Sequence, residues 1–418
     1  MFKQLRNTIS LSTLLILGCG GGGGVIGPVT TPVPTVIPPV TTSSCVVKPA
    51  IGSDKYRSAI LDMRFEQPND FTADGKLVNS YEAVVPVINK IDCVGFDTVV
   101  FQTNIPIDVD TGKLELYDSR SGAFNPNKNI PKDFWRLVDY AKNKGLKVFV
   151  KAIPVNHTND VVICPGCTRT EFVLPPTFST DNFFNALFSY ETTLAREAEK
   201  YKVDGFYVGV MNLGIYTAQY DAEWDRIIAQ AKSVYKGKLI YEACNQCTAN
   251  VWRKVDIVAI HTSNVFEMAP SETVAGLLTD TSILNLVGDV QRIATLYQKP
   301  ILLDTINIGT TGKSTDLGAV ISGGLPYTSL QPNYALQAIK ISSVFELLGT
   351  KLSNRVVGLQ WSEYMPWSQA TWIQNPTNEN SQRWHHAQFY GIDLLNNEPA
   401  QKKLSEYFAK PWGYTTVK

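Results

Sequence analysis

Four carboxylates stand where short apolar runs give way to polar residues: Glu66 in "RSAILDMRFE", Glu242 in "GKLIYEACN", Asp304 in "KPILLDTINIG" and Glu363 in "RVVGLQWSEY". Two carboxyl groups about 5 to 5.5 Å apart cleave glycosidic bonds with retention, and about 6.5 to 9.5 Å apart with inversion. Asp304 and Glu363 end consecutive runs, which places them as a candidate pair; Glu242 is the third candidate. Alternation sets a condition on all of them. An inward Trp361 takes Glu363 inward, whereas an inward Thr305 turns Asp304 outward unless a bulge intervenes. The plainer role for Asp304 is a cap or an ion pair with Lys or Arg. Glu242, beside a CxxC, reads equally as structural.

Other run ends supply Arg64, Gln102, Asn104, Lys151, Tyr207, Asn212, His261, Trp361 and Trp367. Amides and cations offer hydrogen-bonding edges to hydroxyls, and aromatic faces suit pyranose C–H groups, so the expected ligand is a neutral polysaccharide or oligosaccharide. His261 also reads as a hydrogen-bonded wall residue. The vicinal His385 and His386 have no nearby carboxylates, and no metal is expected. No run leads into GxGxxG, a P-loop or a GxSxG elbow, so neither a cofactor nor a serine nucleophile is expected. Lys plus Arg and Asp plus Glu each number 38, without a long basic run, which argues against nucleic acid.

These residues need elements to hold them. Eight apolar, β-branched runs recur between about residues 57 and 364, mostly separated by amphipathic segments such as "PKDFWRLVDYAKNKG" and "AEWDRIIAQAKSVYKG". Continuous apolar strands alternating with helices imply parallel strands covered on both faces. The pattern predicts an α/β fold, a (β/α)8 TIM barrel with long top loops over residues 51–418, with chemistry at the C-terminal strand ends. A doubly wound sheet is the alternative.

Ahead of it, "MFKQLR", "LSTLLIL" and "ILGC" give a basic, an apolar and a cysteine-ended region over residues 1–18 and Cys19, and this resembles a lipoprotein signal peptide. That resemblance implies lipidation of Cys19 and attachment to the bacterial outer membrane, with the face undecided. Residues 19–50 read as a Gly/Pro/Thr-rich stalk. The membrane is expected to be met only through the N-terminal lipid, and the protein to be a monomer. Six cysteines remain, an even number that favours disulfides in an exported chain. Cys45 with Cys93 is the preferred pair, and the CxxC pairs Cys164/Cys167 and Cys244/Cys247 close locally or across loops. Four thiols in two CxxC pairs also fit structural zinc.

The passages "LVDYAKNKGLKVFVKAIPVN", "GKLIYEACNQCTANVWRKVDIVAIHTSN", "KPILLDTINIG" and "VVGLQWSEYMPW" are similar to strands three and five to eight of clan A glycoside hydrolases, especially the family 113 β-mannanase type. The resemblance is distributed over residues 55 to 370. It implies a TIM barrel whose working residues are glutamates ending strands four and seven. Those positions fall here on Met211, or Asn212 after a one-residue shift, and on Thr305. Neither is a glutamate. The expectation is therefore an envelope-anchored barrel that binds and hydrolyses a neutral polysaccharide with relocated carboxylates, or alternatively a catalytically inactive glycan-binding, adhesin or envelope-assembly lipoprotein.

Overall fold

The computed structural model describes residues 45, 48–49, 51–63, 80–108, 113–114, 130–156, 179–210, 218–244, 247–262, 265–266, 271–306, 308, 334–352, 354–364 and 398–413, with backbone only for 62, 154–156, 334, 362–364 and 398. Cys19, the stalk up to residue 44, Arg64, Met211, Asn212, Trp367, Cys164 and Cys167 lie outside them.

Eight parallel strands close into a barrel in chain order. They are β1 (Tyr56–Asp62), β2 (Thr98–Ile107), β3 (Lys147–Asn156), β4 (Gly205–Gly209), β5 (Lys238–Cys244), β6 (Ile257–His261), β7 (Ile301–Ile306) and β8 (Val356–Tyr364). The helices are α1 (Tyr81–Val94), α2 (Phe134–Asn143), α3 (Thr180–Lys200), α4 (Asp221–Val234), α5 (Val274–Leu278), α6 (Thr281–Tyr297), α7 (Tyr334–Leu347) and α8 (Glu398–Phe408). The expected (β/α)8 barrel is the observed fold. Between β5 and β6 the described crossover is a 3-10 turn, Asn250–Arg253, anchored by the Trp252 indole donating to the Tyr241 carbonyl at 3.2 Å.

Alternation along the strands divides two apolar layers. Ile60, Val100, Phe149, Tyr207, Ile240, Ala259 and Leu302 pack inside the barrel, while neighbours such as Leu61, Phe101, Val150, Phe206 and Tyr241 pack against the helices. Local signals set the helices: Ser80 caps α1 by accepting from the Ala83 N–H, and Gly95 ends it at φ 112°. On β8, Gly358 lets the backbone lie against Leu302 and Tyr56, where a Cβ would clash.

The last helix is locked to the first strand. The buried Arg57 guanidinium donates to the Phe408 carbonyl at 2.8 Å and to the Lys410 carbonyl at 2.7 Å, and lies 5.5 Å from the Phe408 ring centroid. These bonds satisfy carbonyls at the end of α8 that the helix itself leaves open. Arg57→Met is expected to cost about 2 kcal/mol, since charged hydrogen bonds are worth more than neutral ones. Urea denaturation should record that loss, and limited proteolysis should cut near α8 earlier than in the parent chain.

The Cys45–Cys93 disulfide is present, tying the segment before β1 to α1, and Cys244 pairs locally with Cys247. Among the described residues no group of His, Cys, Asp and Glu is arranged to hold a metal, and no helix is long and apolar enough to cross a membrane.

Candidate functional site

Six consecutive strands, β3 to β8, each send one polar side chain into the top of the barrel interior: Lys151, Tyr207, Glu242, His261, Asp304 and Gln360. The buried positions within this set are 0 to 1% exposed, and His261 alone opens outward with 18% of its side chain exposed. Lys151 lies at the centre, with Nζ 2.6 Å from Glu242 Oε2 and 3.1 Å from Asp304 Oδ1. The first contact is an ion pair without the alignment of a hydrogen bond. Two oxygens this near one ammonium lie within about 6 Å of each other, too close for the inverting arrangement of about 6.5 to 9.5 Å.

Asp304 reaches the interior by ordinary alternation from the inward Leu302. The pairing with β8 slips between Leu303 and Ile306, and Thr305 sits at φ 53°, a left-handed conformation unusual for a β-branched residue. That irregularity lets the Thr305 hydroxyl, next in the chain, also reach the cluster, 3.4 Å from Lys151 Nζ, so the bulge condition is met. Its carboxylate is crowded with donors: Lys151, the Thr305 hydroxyl at 3.0 Å and the Tyr207 hydroxyl at 2.5 Å. With its amide nitrogen turned toward Asp304, Gln360 adds a further bond at 3.0 Å and donates to the Tyr207 oxygen at 2.6 Å. These donors occupy the lone-pair positions of both oxygens.

Glu242 has two partners, Lys151 on Oε2 and His261 Nδ1 at 2.6 Å from Oε1. Their environments separate the two acids. Burial works against ionised Glu242, but Lys151 and His261 outweigh it and bring its pKa down to about 2. Burial and the neighbouring Glu242 charge raise Asp304, against the pull of Lys151 and Tyr207. Burial also opposes the Lys151 charge, yet Asp304 and Glu242 overcome it and hold its pKa above the usual lysine value.

The remaining residues divide. Gln102 and Asn104 share the inward phase of β2 with Val100, and the buried Asn104 Oδ1 has no partner. Trp361 does not face the mouth; it packs in the outer layer, stacked on Phe345 of α7 at 5.7 Å, because Gln360 takes the inward position. Glu363 is described in backbone only, near the end of β8. Gln360 and Thr305 are members of this network that sequence reading did not assign to it. The signal for Gln360 was available: once Asp304 is inward, its neighbour before Trp361 is the residue that meets it.

The family model for Glycoside Hydrolase Family 113 matches residues 119–315, the stretch that carries Lys151, Tyr207, Glu242, His261 and Asp304. No curated protein matches the chain in sequence. Among solved structures, a GH113 β-1,4-mannanase aligns with TM-score 0.58 at 14% identity, covering 85% of this chain and 98% of that one. A GH113 β-mannanase from Alicyclobacillus acidocaldarius, in complex with ManMIm, aligns with TM-score 0.56 at 13% identity, covering 85% and 97%. An exo-β-1,4-mannosidase from Opitutaceae bacterium strain TAV5 aligns with TM-score 0.50 at 13% identity, covering 86% and 62%. The chain is thus similar in sequence to glycoside hydrolase family 113 from β3 to β7, and its closed barrel has the fold of that family's β-mannanases.

Proposed function

We propose that this barrel binds a neutral, mannan-type oligosaccharide at its mouth without cleaving it by the ordinary two-carboxylate mechanism. The observation that carries the reading is Lys151, whose ammonium stands between Glu242 and Asp304. In a glycosidase that space belongs to the sugar, whose transition state carries the positive charge. Here the chain supplies its own cation. To reach a glycosidic bond either acid has to leave Lys151, and breaking a buried ion pair costs about 3 to 5 kcal/mol. Added to a barrier, that is a slowing of roughly a hundredfold to several thousandfold. Asp304, already met by Lys151, Thr305, Tyr207 and Gln360, also lacks a lone pair for a substrate hydroxyl.

Carbohydrate as the ligand class rests on the family match and on the mannanase-like fold. The unpartnered amide oxygen of Asn104 is a waiting acceptor for a ligand hydroxyl. The sequence of the first nineteen residues supports an envelope lipoprotein tethered through Cys19, which would display the barrel on a stalk.

Calorimetric titration with β-1,4-manno-oligosaccharides is expected to give saturable binding, and incubation with mannan is expected to release no reducing ends. Release that disappears in Glu242→Gln or Glu363→Gln would establish relocated catalysis and overturn this reading. Failure of every tested glycan to bind or raise the melting temperature would leave a protein-partner role.

A further inference from the structure

The segments that lead into the strands lie at the end of the barrel opposite the mouth, and all but the one before β2 carry a lysine or arginine among the described residues. Helix C-termini attract cations, which accounts for some of them. It does not account for Lys238, which opens β5, or for Lys299 and Arg355, which precede β7 and β8; none of the three has an acidic partner among the described residues. Lys147, Lys232 and Lys236 donate to backbone carbonyls, among them those of Ser53, Lys254 and Ser233, so their charges also lack a paired anion. The aspartates at this end are turned inward. Asp97, Asp204 and Asp256 accept from the Arg57, Val148 and Leu239 N–H groups at 3.0, 2.8 and 2.9 Å, and Asp204 is further taken by Lys142 at 2.8 Å. Two open, basic clefts result. Lys147, Lys232, Lys236 and Lys238 line one of about 630 Å³ against Asp204 and Asp256, and Lys55, Lys299 and Arg355 line another of about 550 Å³ against Asp54.

The N-terminal chain joins the barrel at the same end. Cys45 is bonded to Cys93 in the last turn of α1, and Lys48 donates to the Phe96 carbonyl at 2.6 Å, in the connection to β2. A tether through the residues ahead of Cys45 is thus connected to the basic end and not to the mouth. We propose that this end of the barrel docks on an anionic phospholipid surface, its two clefts receiving headgroup phosphates while the mouth points away from the lipid. The choice of a membrane as partner rests on the tethered-lipoprotein reading; the contact itself belongs to the barrel. Basic and acidic residues are equal in number over the whole chain, so the attraction comes from their uneven placement. It acts over a Debye length of about 10 Å in about 0.1 M salt.

Vesicle co-sedimentation of the full chain carrying Cys19→Ser, which cannot take lipid at that position, tests the contact apart from the tether. Binding to vesicles of equal parts phosphatidylglycerol and phosphatidylcholine is expected to exceed binding to phosphatidylcholine alone by about a hundredfold or more. It should fall steeply toward about 1 M salt, where the Debye length is about 3 Å. Replacing Lys232, Lys236 and Lys238 together with Gln, with an unchanged melting curve, is expected to weaken anionic-vesicle binding about a hundredfold, at about fivefold for each cation near the surface. Lys299→Gln with Arg355→Gln, at the second cleft, should lose about twentyfold. Lys132→Gln, Arg136→Gln and Arg226→Gln together, near the starts of α2 and α4, should bind like the parent. Equal binding to both vesicle types, unchanged affinity in both cleft variants, or the same loss in the variant at the helix starts would sink the proposal without touching the tether. Displacement of the vesicles by inorganic phosphate at constant ionic strength would assign the clefts to a small anion and overturn it too. Mass spectrometry that finds no lipid on Cys19 of the parent chain, made in an exporting bacterium, brings down the tether reading, and the membrane as partner with it.

Discussion

Replacing Lys151 with methionine is expected to lower the folding stability by about 3 to 5 kcal/mol at neutral pH, although methionine has nearly the same length and fits an apolar core. The cost does not come from the lost side chain. It comes from Glu242 and Asp304, which are 1% and 0% exposed and would face each other across a dry gap with no cation between them. The pH dependence identifies the cause. In the parent chain Glu242 titrates below its unfolded value, so its contribution is present above about pH 4.5 and is lost as pH falls toward 2. Lys151 titrates above its unfolded value, so its contribution holds below that value and is lost only in strong alkali. In Lys151→Met both acids lose their cation, and burial raises their pKa values; the deficit should therefore shrink as pH falls toward 5. Adding Asp304→Asn to Lys151→Met should recover more than half of the loss, because one buried charge then remains, still bonded to His261. Urea denaturation of the three proteins at pH 5 and pH 7.5 decides it. A single-variant loss below about 1 kcal/mol, or one independent of pH, would mean that the triad carries little of the stability.

The barrel was legible because its signal is repeated eight times: each strand is a short apolar run covered on both faces, and Leu302 or Phe149 inside differs from Leu303 or Val150 outside only by phase. Phase is also where reading by alternation failed. Trp361 looked like a sugar platform, yet it stacks on Phe345 while the less conspicuous Gln360 turns inward. On β7 a single left-handed residue, Thr305, lies beside the register slip that accompanies the inward Asp304, and nothing in "LLDTIN" announces a positive φ at a β-branched position. The individual site residues were visible as polar strand ends. Their alliance was not, because Lys151 and Asp304 lie 153 residues apart and meet only when the barrel closes. Sequence spacing reports which side chains share a strand end; it carries no information on which cation lies between which acids.

A second large effect is expected far from any ligand. Glu191, in the middle of α3, is 1% exposed, and its Oε2 has no hydrogen-bond partner. Burial alone pushes its pKa up to about 8, from about 4.5 for an exposed glutamate. The folded state therefore binds a proton that the unfolded chain has already released across that interval, so stability falls as pH rises between about 4.5 and 8, by about 1.4 kcal/mol per unit. The accumulated penalty is on the order of 5 kcal/mol above pH 8, and it vanishes below 4.5, where both states are protonated. Glu191→Gln keeps the shape and removes the titration. It should match the parent chain at pH 4.5 and exceed its stability progressively up to pH 8, with the difference constant beyond. The urea midpoint should move without a change in slope, since no extra surface is exposed. Parallel pH curves for the two proteins would mean that Glu191 is ionised and compensated in the fold. The helix concerned connects β3 to β4, the strands that present Lys151 and Tyr207. A carboxylate forced to ionise inside α3 strains the elements on which that polar network rests, so alkali should loosen the site through Glu191.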